Sequence, residues 1–134
     1  MTIRAVADTH SVLWFLYDDP RLSIAAKELM DAIDAAGDQI AVSSIALAEM
    51  IYLTERGRIA AEALERVLTA LDKPDATLVD VPFDRAIAEG MRQVERSQVP
   101  ELPDRIVAAT GLHLGVPVIS RDLKIRSSIV ATVW

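Results

Sequence analysis

The apolar residues of this chain change their spacing repeatedly, from short continuous runs to recurrences every three or four residues, and that alternation limits the folds open to it. Ile3–Ala7 reads as a first strand and about Thr9–Tyr17 as a helix, with Pro20 ending the segment. Ser23 is placed to cap a second helix carrying Leu22, Ala26, Leu29, Met30 and Ile33 on one face, and Gly37 closes it. Gln39–Val42 is the next strand, and Ser43 or Ser44 caps a third helix to about Arg56, stopped by Gly57. A fourth helix over about Ile59–Leu71 has the stripe Ala60, Ala63, Leu64, Val67, Leu68, Leu71. Thr77–Val81 is a strand, and a helix from Phe83 or Asp84 turns Ile87, Met91 and Val94 inward. A rigid loop, Val99–Pro103, leads to a buried helix over about Asp104–Leu114, then to the strand Val116–Ile119. A short helix from Asp122 and a strand over Ile129–Val133 complete the pattern. Strands alternating with helices predict an α/β domain: a mostly parallel central sheet of about five strands, with helices on both faces.

No repeat, low-complexity stretch or linker divides the 134 residues, so a single domain over 1–134 is expected. There is no cysteine, which excludes disulfides, thiolate nucleophiles and Cys-ligated metals. The five glycines are scattered, so neither a Walker loop nor a GxGxxG fingerprint exists, and no G-x-S-x-G elbow is present. The longest uncharged stretch, Ile106–Ser120, contains His113 and Pro117 and is too short to cross a bilayer. The start MTIRAVAD lacks the pattern of a signal peptide, and the expectation is a cytoplasmic protein without a membrane partner. A net charge of −6 disfavours nucleic-acid binding through a broad basic surface. It leaves open a site whose carboxylates hold cations, because a bound metal inverts the local sign.

In open parallel sheets, ligands sit beyond the carboxyl ends of the strands, and in this chain acidic residues occupy those positions. Asp8 comes directly after the first strand, and Asp122 comes after Val116–Ile119, behind Ser120 and Arg121. Each of these two also suits a helix N-cap, and Asp104, in a first helical turn, suits the helix dipole. Glu49 has no such reading. It is the only charge in Ile45–Leu53 and shares a helical face with Ile45 and Leu53, where a carboxylate is costly unless paired or metal-bound. Four carboxylates at one sheet edge are tolerable if hard cations neutralise them, and oxygen-only ligands favour Mg2+ or Mn2+. Such a site suits phosphodiester hydrolysis.

The order Asp8, Glu49, Asp104, Asp122 resembles the acidic quartet of PIN-domain ribonucleases, in particular the VapC-type toxins of bacterial toxin–antitoxin pairs. Asp8-Thr9-His10 with Leu13-Trp14 resembles the family's opening, and Val42-Ser43 through Glu49 its second motif, with Gly57-Arg58-Ile59 as the turn after that helix. Pro103-Asp104-Arg105-Ile106 through Thr110 resembles the third motif, Ile119-Ser120-Arg121-Asp122 the fourth, and Val130–Trp134 a common ending. Two departures stand out. The acid that often precedes the third motif's proline is Leu102 here, and Ser120 occupies a position where threonine is common, preserving the hydroxyl.

The resemblance implies a PIN-like three-layer fold and a metal-dependent endoribonuclease acting as a toxin. Asp8 and Asp104 would be the main ligands of Mg2+ or Mn2+, Glu49 and Asp122 would complete the pocket, and Ser120 would orient a carboxylate. Arg105, Arg121 and Lys124, with Arg126 beyond them, lie close in sequence to the acids and are candidates for contacts to RNA phosphates. His10 matches a common family residue. The implied partners are RNA, a cognate antitoxin whose disordered tail folds on binding, and a second copy of the chain, joined through apolar helix surfaces within Ser23–Leu71. A housekeeping PIN nuclease of RNA processing is the alternative on the same fold. A phosphoacceptor receiver domain is the alternative of another class, but only one acid stands after the first strand, and Lys124 comes after Asp122 rather than closing a strand.

Overall fold

Successive residues of the central strands point to opposite faces of one sheet, and each face carries its own core. The computed structural model describes residues 2–134. In chain order the elements are β1 (Ile3–Ala7), α1 (Thr9–Leu16), α2 (Ile24–Ala35), β2 (Gln39–Ser43), α3 (Ser44–Glu55), α4 (Ala61–Asp72), β3 (Leu78–Val81), α5 (Arg85–Gly90), a 3-10 turn at Met91–Gln93, α6 (Leu102–Leu114), β4 (Val118–Ile119), α7 (Leu123–Arg126) and β5 (Thr132–Val133). Ala5, Ala7, Ile40, Val42, Leu78 and Ile119 pack against α1–α4 through Val12, Leu13, Met30, Met50 and Val67. Val6, Ala41 and Val118 face the other way, onto Ile87 of α5, Val107–Ala109 of α6 and Ile125 of α7. Three layers result, as the alternation of apolar patterns predicts.

All four strand pairings are parallel, in the order β3-β2-β1-β4-β5. The chain steps outward from β1 to β2 and β3, then returns beneath the sheet through α5 and α6 to place β4 on the other side of β1. Strand order therefore reverses between β1 and β4, which is where an open α/β sheet leaves a crevice at its carboxyl edge. Asp8 and Ser120 are the residues immediately after these two strands.

Most expected elements form, with boundary differences that have physical causes. Pro103 lies inside the first turn of α6 rather than in the preceding loop. A helix's first N–H groups have no intrahelical acceptor, so proline costs nothing there. The strand expected at Val116–Ile119 is reduced to Val118–Ile119, since Pro117 has no N–H to give and contributes only its carbonyl, to the Val6 N–H at 3.0 Å. The last strand keeps only Thr132–Val133 of the expected Ile129–Val133. The helix expected to run past Met91 tightens into a 3-10 turn there, yet Val94 is still fully buried. No helix among the described residues is long and apolar enough to cross a membrane.

α6 carries Asp104 at its start, so its seating on the sheet sets where that carboxylate stands. Ile106, Val107, Ala108 and Ala109 are all buried, each large aliphatic side chain contributing about 1.5–3 kcal/mol. Gly111 permits the close approach: a Cβ there would lie 2.6 Å from Cγ2 of Val118 and 3.3 Å from the carbonyl oxygen of Val116. Gly111→Ala is expected to destabilise the protein by about 1–3 kcal/mol through overpacking. Gly90→Ala, in right-handed helical backbone with open space around it, is expected to stabilise by about 0.5–1 kcal/mol. Urea unfolding of the two variants checks the contrast, and a neutral Gly111→Ala would contradict the seating described.

Candidate active site

Asp8 serves two functions with its two oxygens. As N-cap of α1 it accepts the Ser11 N–H on Oδ1 at 3.0 Å, while Oδ2 accepts the Ser120 hydroxyl at 2.6 Å. Its own N–H donates to the Ile119 carbonyl at 3.2 Å, which ties the end of β1 to the end of β4. The fully buried Ser120 Oγ also accepts the Asp122 N–H at 3.0 Å, so one hydroxyl joins two of the acids. Asp122 in turn caps α7, accepting the Lys124 N–H at 2.9 Å. Capping and membership of an acidic site are thus compatible at both positions.

Glu49 projects from the second turn of α3 and accepts a hydrogen bond from the hydroxyl of Thr9, itself buried. That bond is how an apolar helical segment accommodates its one carboxylate. Asp104 is in the first turn of α6 and half-buried. Its pKa is raised from the ordinary 3.8 to about 7, first by burial, then by a hydrogen bond with the Asp122 carboxyl and by the charges of Asp122, Glu49 and Glu101. A bond between two carboxyl groups requires one of them to hold a proton, so these acids stand closer than full ionisation favours.

Asp8, Glu49, Asp104 and Asp122 line one cavity of about 510 Å3 at the strand-order reversal. On donor chemistry and charge they fit a hard divalent cation: every acidic donor is oxygen, and four acids share one cavity with Glu101 as a fifth. Among the described residues no three His, Asp or Glu side chains close into a ready cage. Mg2+ does not need one, since it keeps several waters and is held through one or two carboxylates.

The basic residues divide. Arg121 lines the cavity. Arg105 does not: its guanidinium donates to the Val94 carbonyl at 2.9 Å and the Met91 carbonyl at 2.8 Å, fastening the 3-10 turn to α6. The contact with RNA phosphates expected of it has no counterpart in the cavity lining. Lys124 and Arg126 are exposed and outside the cavity lining, and His113 is exposed on α6. His10 is at the cavity, its ring 5.5 Å from that of Trp14. Sequence reasoning passes over four lining residues as parts of the site. Thr9 is adjacent to Asp8, and Glu101 stands one turn before Asp104, so both are within reach of a local reading. Arg21 and Trp14 come together only through the turn after α1, which leaves no sequence signal.

A doubly wound α/β domain with an acidic crevice at its strand-order reversal is the class that this geometry defines. The PIN domain profile matches residues 5–127, and the chain belongs to the PIN domain family. The fold is similar to that of VapBC2 from Rickettsia felis bound to a promoter DNA fragment, at 14% identity and TM-score 0.71, covering 97% of each chain. It is also similar to a toxin–antitoxin complex from Klebsiella pneumoniae, at 25% identity and TM-score 0.66, covering 97% of this chain and 96% of that one. A DNA-bound VapBC from Salmonella typhimurium matches at 18% identity and TM-score 0.67, covering 98% and 97%. No curated protein sequence matches the chain.

With a folded pKa of about 7 against an ordinary 3.8, Asp104 keeps a proton that the unfolded chain has already lost across that interval. Its contribution to stability therefore falls as pH rises from about 4 to 7. In the cation-free protein, Asp104→Asn is expected to raise stability at pH 8 by on the order of 1 kcal/mol, discounted for solvent screening, with the gain fading near pH 4. Thermal melts across that range check it, and a variant less stable than wild type at pH 8 would contradict it.

Proposed function

We propose that the protein is a metal-dependent endoribonuclease that acts as the cytoplasmic toxin of a toxin–antitoxin pair. The observation that carries this reading is the gathering of Asp8, Glu49, Asp104 and Asp122 around one cavity at the sheet's carboxyl edge. Family membership and the likeness to toxin–antitoxin complexes support it.

Asp8 and Asp104 would be the main ligands of Mg2+ or Mn2+, with Glu49 and Asp122 completing the pocket directly or through metal-bound water. Such a cation, when bound, supplies water activation and neutralises charge on the phosphodiester and its leaving oxygen. The chain's own groups arrange that chemistry. Ser120 fixes Asp8 and the backbone at Asp122 in one hydrogen-bonded unit, and Thr9 holds Glu49 toward the cavity. Burial and the neighbouring acids raise the pKa of Asp104 to about 7.

The purified protein is expected to cleave RNA with Mg2+ or Mn2+ and to stop in EDTA. Asp8→Asn is expected to reduce turnover by at least about 100-fold with its circular dichroism spectrum unchanged. Cleavage undiminished in EDTA, or near wild-type turnover in Asp8→Asn, would refute the mechanism.

Two partners belong to the proposal. A second copy would join through the helical layer within Ser23–Leu71, where Ile24, Ile51, Tyr52 and Leu68 are exposed. An antitoxin tail would silence the site by placing Arg or Lys on Glu49, Asp104 or Asp122, since several carboxylates in a partly dry cleft favour a basic plug. Replacing that antitoxin residue by Ala is expected to restore cleavage. If only truncation of the tail's apolar anchors restores it, steric cover replaces the charge plug.

A further inference from the structure

Five carboxylates line the cavity, counting Glu101 with the four already described, and Arg121 lines it with them. An exposed guanidinium beside so many acids would ordinarily fold onto one of them. Among the described residues Arg121 makes no ion pair. Its guanidinium carbon instead lies 5.3 Å from the Trp14 ring centroid. Arg21, also lining the cavity, lies 5.2 Å from the same ring.

The ring is a fixed platform. Trp14 is only 8% exposed and is packed against Trp134, with centroids 5.9 Å apart. Arg21 is fixed a second time by Asp19, which accepts its Nε–H at 3.1 Å and an Nη2–H at 2.8 Å. Those bonds use two of five guanidinium N–H groups and leave three. A guanidinium attracted to a ring face by its charge still has its N–H edge free for an anion's oxygens. Held this way, the two cations remain at the cavity without neutralising the acids inside it.

We propose that Arg21 and Arg121, gathered on Trp14 beside the acidic cavity, are a substrate-positioning pair that takes backbone phosphates of the RNA next to the bond being cut. This deepens the reading in the preceding section and rests on it. A chain of net charge −6 repels RNA; Arg121 supplies positive charge at the place where the backbone must pass, and Arg21, ion-paired with Asp19, adds its free N–H groups beside it. Arg is suited to the task because its fork matches two phosphate oxygens at once.

The test is steady-state cleavage of a fluorophore- and quencher-labelled single-stranded oligoribonucleotide pool of random sequence, with Mg2+, at several salt concentrations. Arg121→Ala is expected to raise KM about tenfold while kcat changes less than about threefold, as for loss of one charge-assisted phosphate contact. The slope of log(1/KM) against log[salt] should become shallower by about 0.7, one phosphate contact on a single strand. Arg21→Ala should act in the same direction, and Arg121→Lys should recover the salt slope but only part of KM. If wild type cleaves and Arg121→Ala leaves both KM and the slope unchanged, the proposal is overturned, and a lowered Tm with unchanged KM would assign the pair to packing alone. If wild type cleaves no RNA, the function proposed above fails first, and this inference falls with it.

Discussion

Like charges crowded into a half-buried cleft repel one another, and the carboxyl edge of this sheet is built to hold them together regardless. The pKa of Asp104 is carried to about 7 first by burial and then by its acidic neighbours. The restraints on the other side are short and local. Ser120 bonds both Asp8 and the backbone of Asp122, Thr9 bonds Glu49, and two of the acids double as helix caps. Each restraint sits where a strand gives way to a helix, and the reversal of strand order between β1 and β4 brings those ends side by side. The rest of the fold supplies rigidity beneath them. α6 sinks onto β4 because Gly111 has no side chain to hold it off.

The range of each interaction decides whether it is legible in the sequence. Helices are readable because burial on one face imposes a period near 3.6, whereas β1, β2 and β4, covered on both faces, are readable as short continuous apolar runs. Glu49 stands out as a charge with no local reason to be where it is, and its partner Thr9 is forty positions away in the chain. Asp8 and Asp122 are ambiguous between cap and site because a carboxylate has two oxygens, and Asp8 uses one for each purpose.

The misses are of a different kind. Proximity to Asp104 in the chain suggests that Arg105 shares its surroundings, but adjacent residues on a helix point about 100° apart, and Arg105 turns back to the carbonyls of Met91 and Val94. Pro103 looks like a helix breaker and is harmless in a first turn. Arg21 belongs to the site only because the turn after α1 brings it back over the indole ring of Trp14, a contact with no periodicity to announce it.

The central claim is that these carboxylates form one cation site whose crowding a divalent ion relieves. The most direct measurement is the melting temperature of wild type and of Asp104→Asn at pH 8, each with and without millimolar Mn2+. A ligand that binds only the folded state stabilises it by RT ln(1 + [L]/Kd), and Tm rises accordingly. Mn2+ is expected to raise the Tm of wild type by several degrees and that of Asp104→Asn by much less, because the variant lacks both the repulsion and a ligand. An equal shift in the two proteins, or none in wild type, would contradict the account.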